Sequence, residues 1–312
     1  MSEGGDYTPA TWSGADTFDD ARRAYQDRQS RSYEEARAER KTVRDVLPAL
    51  LETDSPAPLL IVLDQTGSMG DWTAVIAGKL PYLDHECRTE YLGPRYAVSY
   101  LAFDDVKVQA DYPLQARPFA QGEEAKGQLE QLVHTNNGGG NNGESSELMA
   151  FYVLRCVRTP NAERPVIIFI TDEMPHAFSA REAREFLPDG GEANGLTTER
   201  IFRELMERFE VFVVLKPYEN CTPGGWERLV GKDRVVPLSE PGRVVDVLFG
   251  LLAKVTDRIA YFREEIEGRQ TPAQVASTYE ALRTVHGSVP SANDGRSTMH
   301  RPPRGSRGGD LM

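Results

Sequence analysis

The stretch Pro58-Leu59-Leu60-Ile61-Val62-Leu63-Asp64-Gln65-Thr66-Gly67-Ser68-Met69-Gly70 changes character at its midpoint. Its first half is a short apolar run opening on a proline, the pattern of a strand covered on both faces, as in a parallel sheet. Its second half delivers one carboxylate and two hydroxyls on a tight turn that Gly67 relaxes, so oxygen donors gather where the strand ends. Similar runs recur at Tyr96 to Phe103, Val166 to Ile170 and Val211 to Leu215, with weaker edge candidates at Lys107 to Tyr112 and Arg234 to Leu238. Helical stretches are expected between them, at about Trp72 to Arg88, Gly122 to Leu132, Glu144 to Arg158, Thr197 to Phe209 and Gly242 to Thr256. This alternation predicts an α/β fold with a Rossmann-like, mostly parallel central sheet flanked by helices.

Ligands of such sheets sit beyond the carboxyl ends of the strands, which directs attention to the loops after Leu63 and Ile170. The second of these reads Thr171-Asp172-Glu173 and brings another carboxylate to the same edge. Asp64, Thr66, Ser68 and Asp172 together offer the oxygen donors that a hard divalent cation prefers. Magnesium fits this chemistry best, with manganese or calcium as alternatives.

On these residues the chain resembles the von Willebrand factor A (VWA) family, whose metal-ion-dependent adhesion site (MIDAS) combines D-x-S-x-S, a residue of a middle loop, and an Asp after the fourth strand. Asp64, Thr66 and Ser68 match the first element, with Thr66 supplying the hydroxyl of the usual serine, and Asp172 matches the last. The resemblance spans about residues 58 to 256. The middle element departs from the commonest pattern: no threonine follows the glycines of Asn137-Gly138-Gly139-Gly140-Asn141-Asn142-Gly143-Glu144-Ser145. Some family members place a glutamate at the start of the next helix, and Glu144 stands there, although a glutamate also suits a helix N-terminus for its dipole alone. Three carboxylates around one ion would weaken its pull on an acidic ligand. The resemblance implies a non-catalytic adaptor or assembly subunit of bacterial type, binding an Asp or Glu of a protein partner, in some cases within an AAA+ ATPase system. Met69, Trp72, Asn141, Asn142, Glu173 and His176 are the candidate partner contacts, with core packing the alternative for Met69 and Trp72, and hydrogen bonding to a carboxylate the alternative for His176.

Competing chemistries find less support. Gly138 to Gly143 fits G-x-G-x-x-G, but no convincing strand precedes it and the first strand-to-helix turn already holds the Asp64 loop. Neither a phosphate loop nor a G-x-S-x-G elbow is present, and Thr66 stands where a phosphoryl-transfer Asp-x-Asp pair requires its second carboxylate. The main rival reading is a structural protein, of a virion or a cytosolic assembly, in which a metal stabilises the fold. Cys87, Cys156 and Cys221 are odd in number and widely spaced, which predicts free thiols.

The flanks read differently. Residues 1–57 are expected to form an arm and a helical extension, 257–286 further helices, and 287–312 a disordered basic tail rich in Gly, Ser, Pro and Arg. A net charge of −12 speaks against nucleic acid except through that tail. No apolar run approaches the ~18 residues of a membrane span, and the acidic start is unlike a signal peptide, so a cytoplasmic location is expected.

Overall fold

The computed structural model describes residues 35–36, 38–39, 43–108, 111–134, 143–218 and 221–286. The expectations for residues 1–34, for Asn141 and Asn142, and for the tail from 287 lie outside these segments. Strands β1 (Leu51–Glu52) and β5 (Val157–Arg158) pair in parallel as a small separate sheet. The main sheet contains β2 (Pro58–Asp64), β3 (Ala97–Phe103), β4 (Leu114–Ala116), β6 (Val166–Thr171), β7 (Glu210–Leu215) and β8 (Val235–Pro237). Its spatial order is β4-β3-β2-β6-β7-β8, parallel except for β4. The chain therefore runs outward from β2 in one direction, returns to β6, and runs outward in the other. This reversal puts the switch point, the place at which such folds bind ligands, at the carboxyl ends of β2 and β6.

The period-two geometry of a strand explains why these runs are apolar throughout. Leu59, Ile61 and Leu63 of β2 enter one core while Leu60 and Val62 enter the other; Val166, Ile168 and Ile170 of β6 are divided from Ile167 and Phe169 in the same way. The first core is roofed by α1 (Asp71–Lys79), α2 (Gly122–Glu130) and α7 (Val244–Thr256). The second is roofed by α3 (Ser146–Cys156), α4 (Ala180–Phe186), α5 (Thr198–Arg208) and α6 (Pro223–Val230). Truncating Ile61, which is fully buried, to alanine would cost about 2–5 kcal/mol. Helices α8 (Ile259–Arg269) and α9 (Pro272–His286) close over α7, with Phe262, Ile266, Leu282 and Val285 entering the first core. Gly250 permits this approach, since a Cβ there would lie 2.2 Å from Leu282 Cδ1.

Several boundaries move for local reasons. Lys107 and Val108 form a turn instead of an edge strand, because the Asp105 carboxylate accepts from Lys107 N at 3.0 Å and its carbonyl from Val108 N at 3.0 Å. The antiparallel edge is supplied by β4 instead. The helical stretch expected over Trp72 to Arg88 is present as one continuous run of changing pitch: α1 is followed by a 3₁₀ turn at Leu80–Tyr82, an α-helical turn at Leu83–Glu86 and a π-helical turn at Cys87–Tyr91. The helix expected to start at Glu144 begins at Ser146, and Val157 and Arg158 leave it as β5. The short helices α4 and α6 were not expected; α4 is started by Ser179, whose hydroxyl accepts from Glu182 N at 3.3 Å.

Candidate metal centre

Both carboxylates of the outer motif reach the switch point as the sheet register dictates. Asp64 is the last residue of β2 and Asp172 is the first beyond β6, with Leu63 paired to Ile170 between them. Asp64 is held from both sides: its Oδ1 accepts from Thr66 N at 2.9 Å and Thr66 Oγ1 at 2.6 Å, and its Oδ2 accepts from Thr171 Oγ1 at 2.7 Å. Thr66 Oγ1 lies 2.9 Å from Ser68 Oγ, which donates to Asp172 Oδ1 at 3.0 Å. A continuous run of oxygens thus links the two strand ends.

Glu144 completes the cluster. One carboxylate oxygen from each of Asp64, Glu144 and Asp172 lies within 4.8 Å of the others, and all three residues are buried. The main chain sets Glu144 in place: its N–H donates to Met174 O at 2.9 Å and its carbonyl accepts from His176 N at 3.1 Å, so residues 144 and 175 bridge like two parallel strands. Gly143 makes the approach possible. It adopts φ +114°, and a Cβ there would meet His176 Nδ1 at 2.7 Å. Glu144 is 4% exposed, yet its Oε2 has no hydrogen-bond partner among the described residues. Burying a carboxylate oxygen without a partner is costly unless something else neutralises it.

Electrostatics express the same imbalance. Burial, reinforced by the Asp172 charge, pushes Asp64 up to about 7. Burial and the charges of Asp64, Asp105 and Asp104 push Glu144 up to about 10. Without a cation, the corner holds protons at neutral pH.

The remaining candidates divide. Met69 is 1% exposed and packs into the first core, so it does not form a rim around the site; its expectation as a partner contact is corrected by the turn Gly67–Met69, which points it inward. Trp72 is half-buried, packed against the same core, with its ring 5.8 Å from Lys216 Nζ. Glu173 is buried at 7%, its carbonyl accepts from Trp226 Nε1 at 2.9 Å, and burial followed by Asp172 raises its carboxyl. His176 is also buried, with Nε2 3.1 Å from Asp105 Oδ1, and Thr198 Oγ1 donates to its carbonyl at 2.8 Å. It braces the loop after β6 instead of facing outward.

Four contributors were not singled out by the motif. Asp104 and Asp105 follow β3 directly, Thr171 ends β6, and Lys216 follows β7. Position at the carboxyl end of a central strand, from its last residue to the second beyond it, is the signal that would have found them. Lys216 Nζ donates to Asp172 Oδ2 at 3.2 Å and to the Ser68 carbonyl. On the other flank, Gln65 Nε2 lies 3.2 Å from His134 Nδ1, and Gln115 Nε2 donates to Val133 O at 2.6 Å, which fixes the chain just before the glycine-rich loop.

The donor set is all oxygen: three carboxylates and two hydroxyls. It suits a hard divalent cation and offers nothing to a soft one. No family model and no curated protein matches the chain. Among solved structures, proximal thread matrix protein 1 from the mussel byssus is similar over 65% of this chain and 49% of its own, at 13% identity and a TM-score of 0.45. The pilus adhesin SpaC from Lactobacillus rhamnosus GG is similar over 68% of this chain and 32% of its own, at 11% identity and a TM-score of 0.47. This chain spans less than half the length of either protein, and likenesses this distant carry no argument about activity.

Proposed function

We propose that the chain is a VWA-type, MIDAS-bearing module that binds an acidic group of a protein partner through one divalent cation, without catalysis. The observation that carries this reading is Glu144 Oε2, buried, without a partner, and within 4.8 Å of carboxylate oxygens of Asp64 and Asp172. Asp64, Thr66, Ser68, Glu144 and Asp172 would hold the ion, magnesium first, with manganese or calcium as substitutes. A cation there would supply an electropositive coordination position to which a partner Asp or Glu can bind with charge assistance.

The chain's own residues do the rest. Thr66 and Thr171 orient Asp64 by donating to opposite oxygens, Ser68 ties the loop to Asp172, and the bridge between Glu144 and Pro175 presents Glu144. Preorganisation of this kind lowers the ordering cost of binding. Trp72 contributes apolar surface beside the opening. No helix among the described residues is long and apolar enough to cross a membrane. A cytoplasmic adaptor role, in company with an AAA+ ATPase system, belongs to the same proposal.

A panel of short fluorescent peptides, each presenting one Asp or Glu, tests this by anisotropy in magnesium and in EDTA. Binding is expected in magnesium, absent in EDTA and absent for Asp64→Ala. Peptide binding that is indifferent to EDTA, or a cation that raises thermal stability while no acidic peptide binds, would shift the function to the structural reading.

A further inference from the structure

Lys216 occupies an unusual place for a strand-end residue. β7 lies beside β6, with Leu215 paired to Thr171, so the next residues, Lys216 and Asp172, emerge side by side at the carboxyl edge. The ammonium group donates to Asp172 Oδ2 at 3.2 Å and to the carbonyl of Ser68, two residues that belong to the proposed cation shell. Its side chain is only 14% exposed. The rings of Trp72 and Tyr218 lie 5.8 and 5.6 Å from Nζ, which adds cation–π attraction. Tyr218 itself is 41% exposed, so this aromatic enclosure reaches the surface.

Two observations make this pairing more than a structural salt bridge. First, the ammonium takes one oxygen of Asp172 while Ser68 Oγ takes the other, so the carboxylate is fully engaged without a metal. Second, Glu144 Oε2 receives nothing from the lysine or from any other described group. The internal cation reaches one side of the corner and leaves the Glu144 side bare.

We infer that Lys216 is a tethered internal cation that occupies the Asp172 side of the centre and is displaced when a divalent ion binds, so that it sets the affinity of the site. This inference rests on the cation-binding reading given above. A divalent ion coordinating Asp172 draws on the same oxygens as Nζ and repels the ammonium; the two occupants oppose each other. Loading therefore requires the Lys216–Asp172 contact to loosen. Trp72 and Tyr218 hold the released ammonium near the opening, where an incoming carboxylate arrives.

Manganese titration by calorimetry on the full chain, comparing wild type with Lys216→Met and Lys216→Arg, tests this. Lys216→Met is expected to bind manganese about ten-fold or more tightly than wild type, equivalent to at least ~1.4 kcal/mol, with Lys216→Arg close to wild type. Reciprocally, acetylation of Lys216, followed by peptide mass spectrometry, is expected to rise several-fold on saturation with manganese. Equal or weaker binding by Lys216→Met, or labelling that ignores manganese, overturns the role of Lys216 while leaving the cation site standing. If neither wild type nor Lys216→Met binds manganese, the cation-site reading falls, and the inference with it. Binding by Lys216→Met alone would be its strongest support.

Discussion

Two of the buried polar clusters among the described residues handle charge in opposite ways. Where α7 meets α8, Asp246 is surrounded by matched donors: Arg243 Nη1 donates to Oδ2 at 2.9 Å and Gln270 Nε2 to Oδ1 at 3.2 Å, while Arg243 also reaches Gln270 Oε1 at 2.8 Å. Close by, Glu86 accepts from Arg269 and, at 2.9 Å, from Tyr261. Burial lifts Asp246 only to about 6, with Arg243 opposing the rise. At the carboxyl edge of β2 and β6, three carboxylates lie together, the Lys216 ammonium pairs with Asp172, and Glu144 Oε2 has no hydrogen-bond partner among the described residues. The first cluster is complete within the chain and the second is not. An incomplete cluster held this firmly by its backbone is what a binding site for an external cation requires.

Breaking the completed cluster gives the largest expected effect. Arg243→Ala leaves Asp246 buried without its guanidinium and is expected to cost about 3–5 kcal/mol in urea unfolding, with no change in the response to magnesium. The incomplete cluster behaves the other way. Magnesium at a hundred-fold excess over its Kd is expected to add about 2.7 kcal/mol of stability, a rise of roughly 4 °C in Tm for a chain of this size. Asp64→Ala and Glu144→Gln should each abolish that rise. In EDTA at neutral pH, Glu144→Gln should change stability by less than ~1 kcal/mol, because Glu144, pushed up to about 10, is already neutral there.

The pH dependence sharpens the contrast. Asp64 and Glu144 have raised values in the folded chain, so their protonated forms favour the ion-free fold. That contribution is whole below the ordinary carboxylate range and is lost as pH rises, through about 7 for Asp64 and toward 10 for Glu144. A cation must displace those protons. Its affinity should therefore weaken, as pH falls, by roughly ten-fold per pH unit for each proton displaced, and the magnesium-induced rise in Tm should be larger at pH 8 than at pH 6. A rise that is the same at both would count against carboxylate ligation. The smallest effect is expected at a solvated pair: Arg200 Nε donates to Glu204 Oε1 at 2.8 Å on the open face of α5. Arg200→Ala should cost no more than ~0.5 kcal/mol and lose even that in high salt.

Much of this was legible in the order of residues, and the reasons are physical. Strands buried on both faces must be apolar throughout, so β2, β3, β6 and β7 announce themselves, and their carboxyl ends localise Asp64 and Asp172. Glu144 was visible as a carboxylate after a glycine-rich loop. Its missing hydrogen bond was not, because satisfaction of a buried group depends on every neighbour in space. Met69 and His176 were ambiguous for the same reason: nearness to a motif in sequence does not say which way a side chain turns. Lys216 escaped notice because its partners, Ser68 and Asp172, lie 148 and 44 residues away. The edge strand was misplaced because Asp105 turns the chain through its own side chain, a local competition that apolar runs do not report.

Glu144 is the residue on which the proposed cation binding depends most directly. Isothermal titration of the EDTA-stripped, full-length protein with magnesium at pH 8, beside Glu144→Gln, measures the claim itself. One ion per chain in the wild type and none in Glu144→Gln is the predicted result; equal binding by both, or no heat in either, would contradict it.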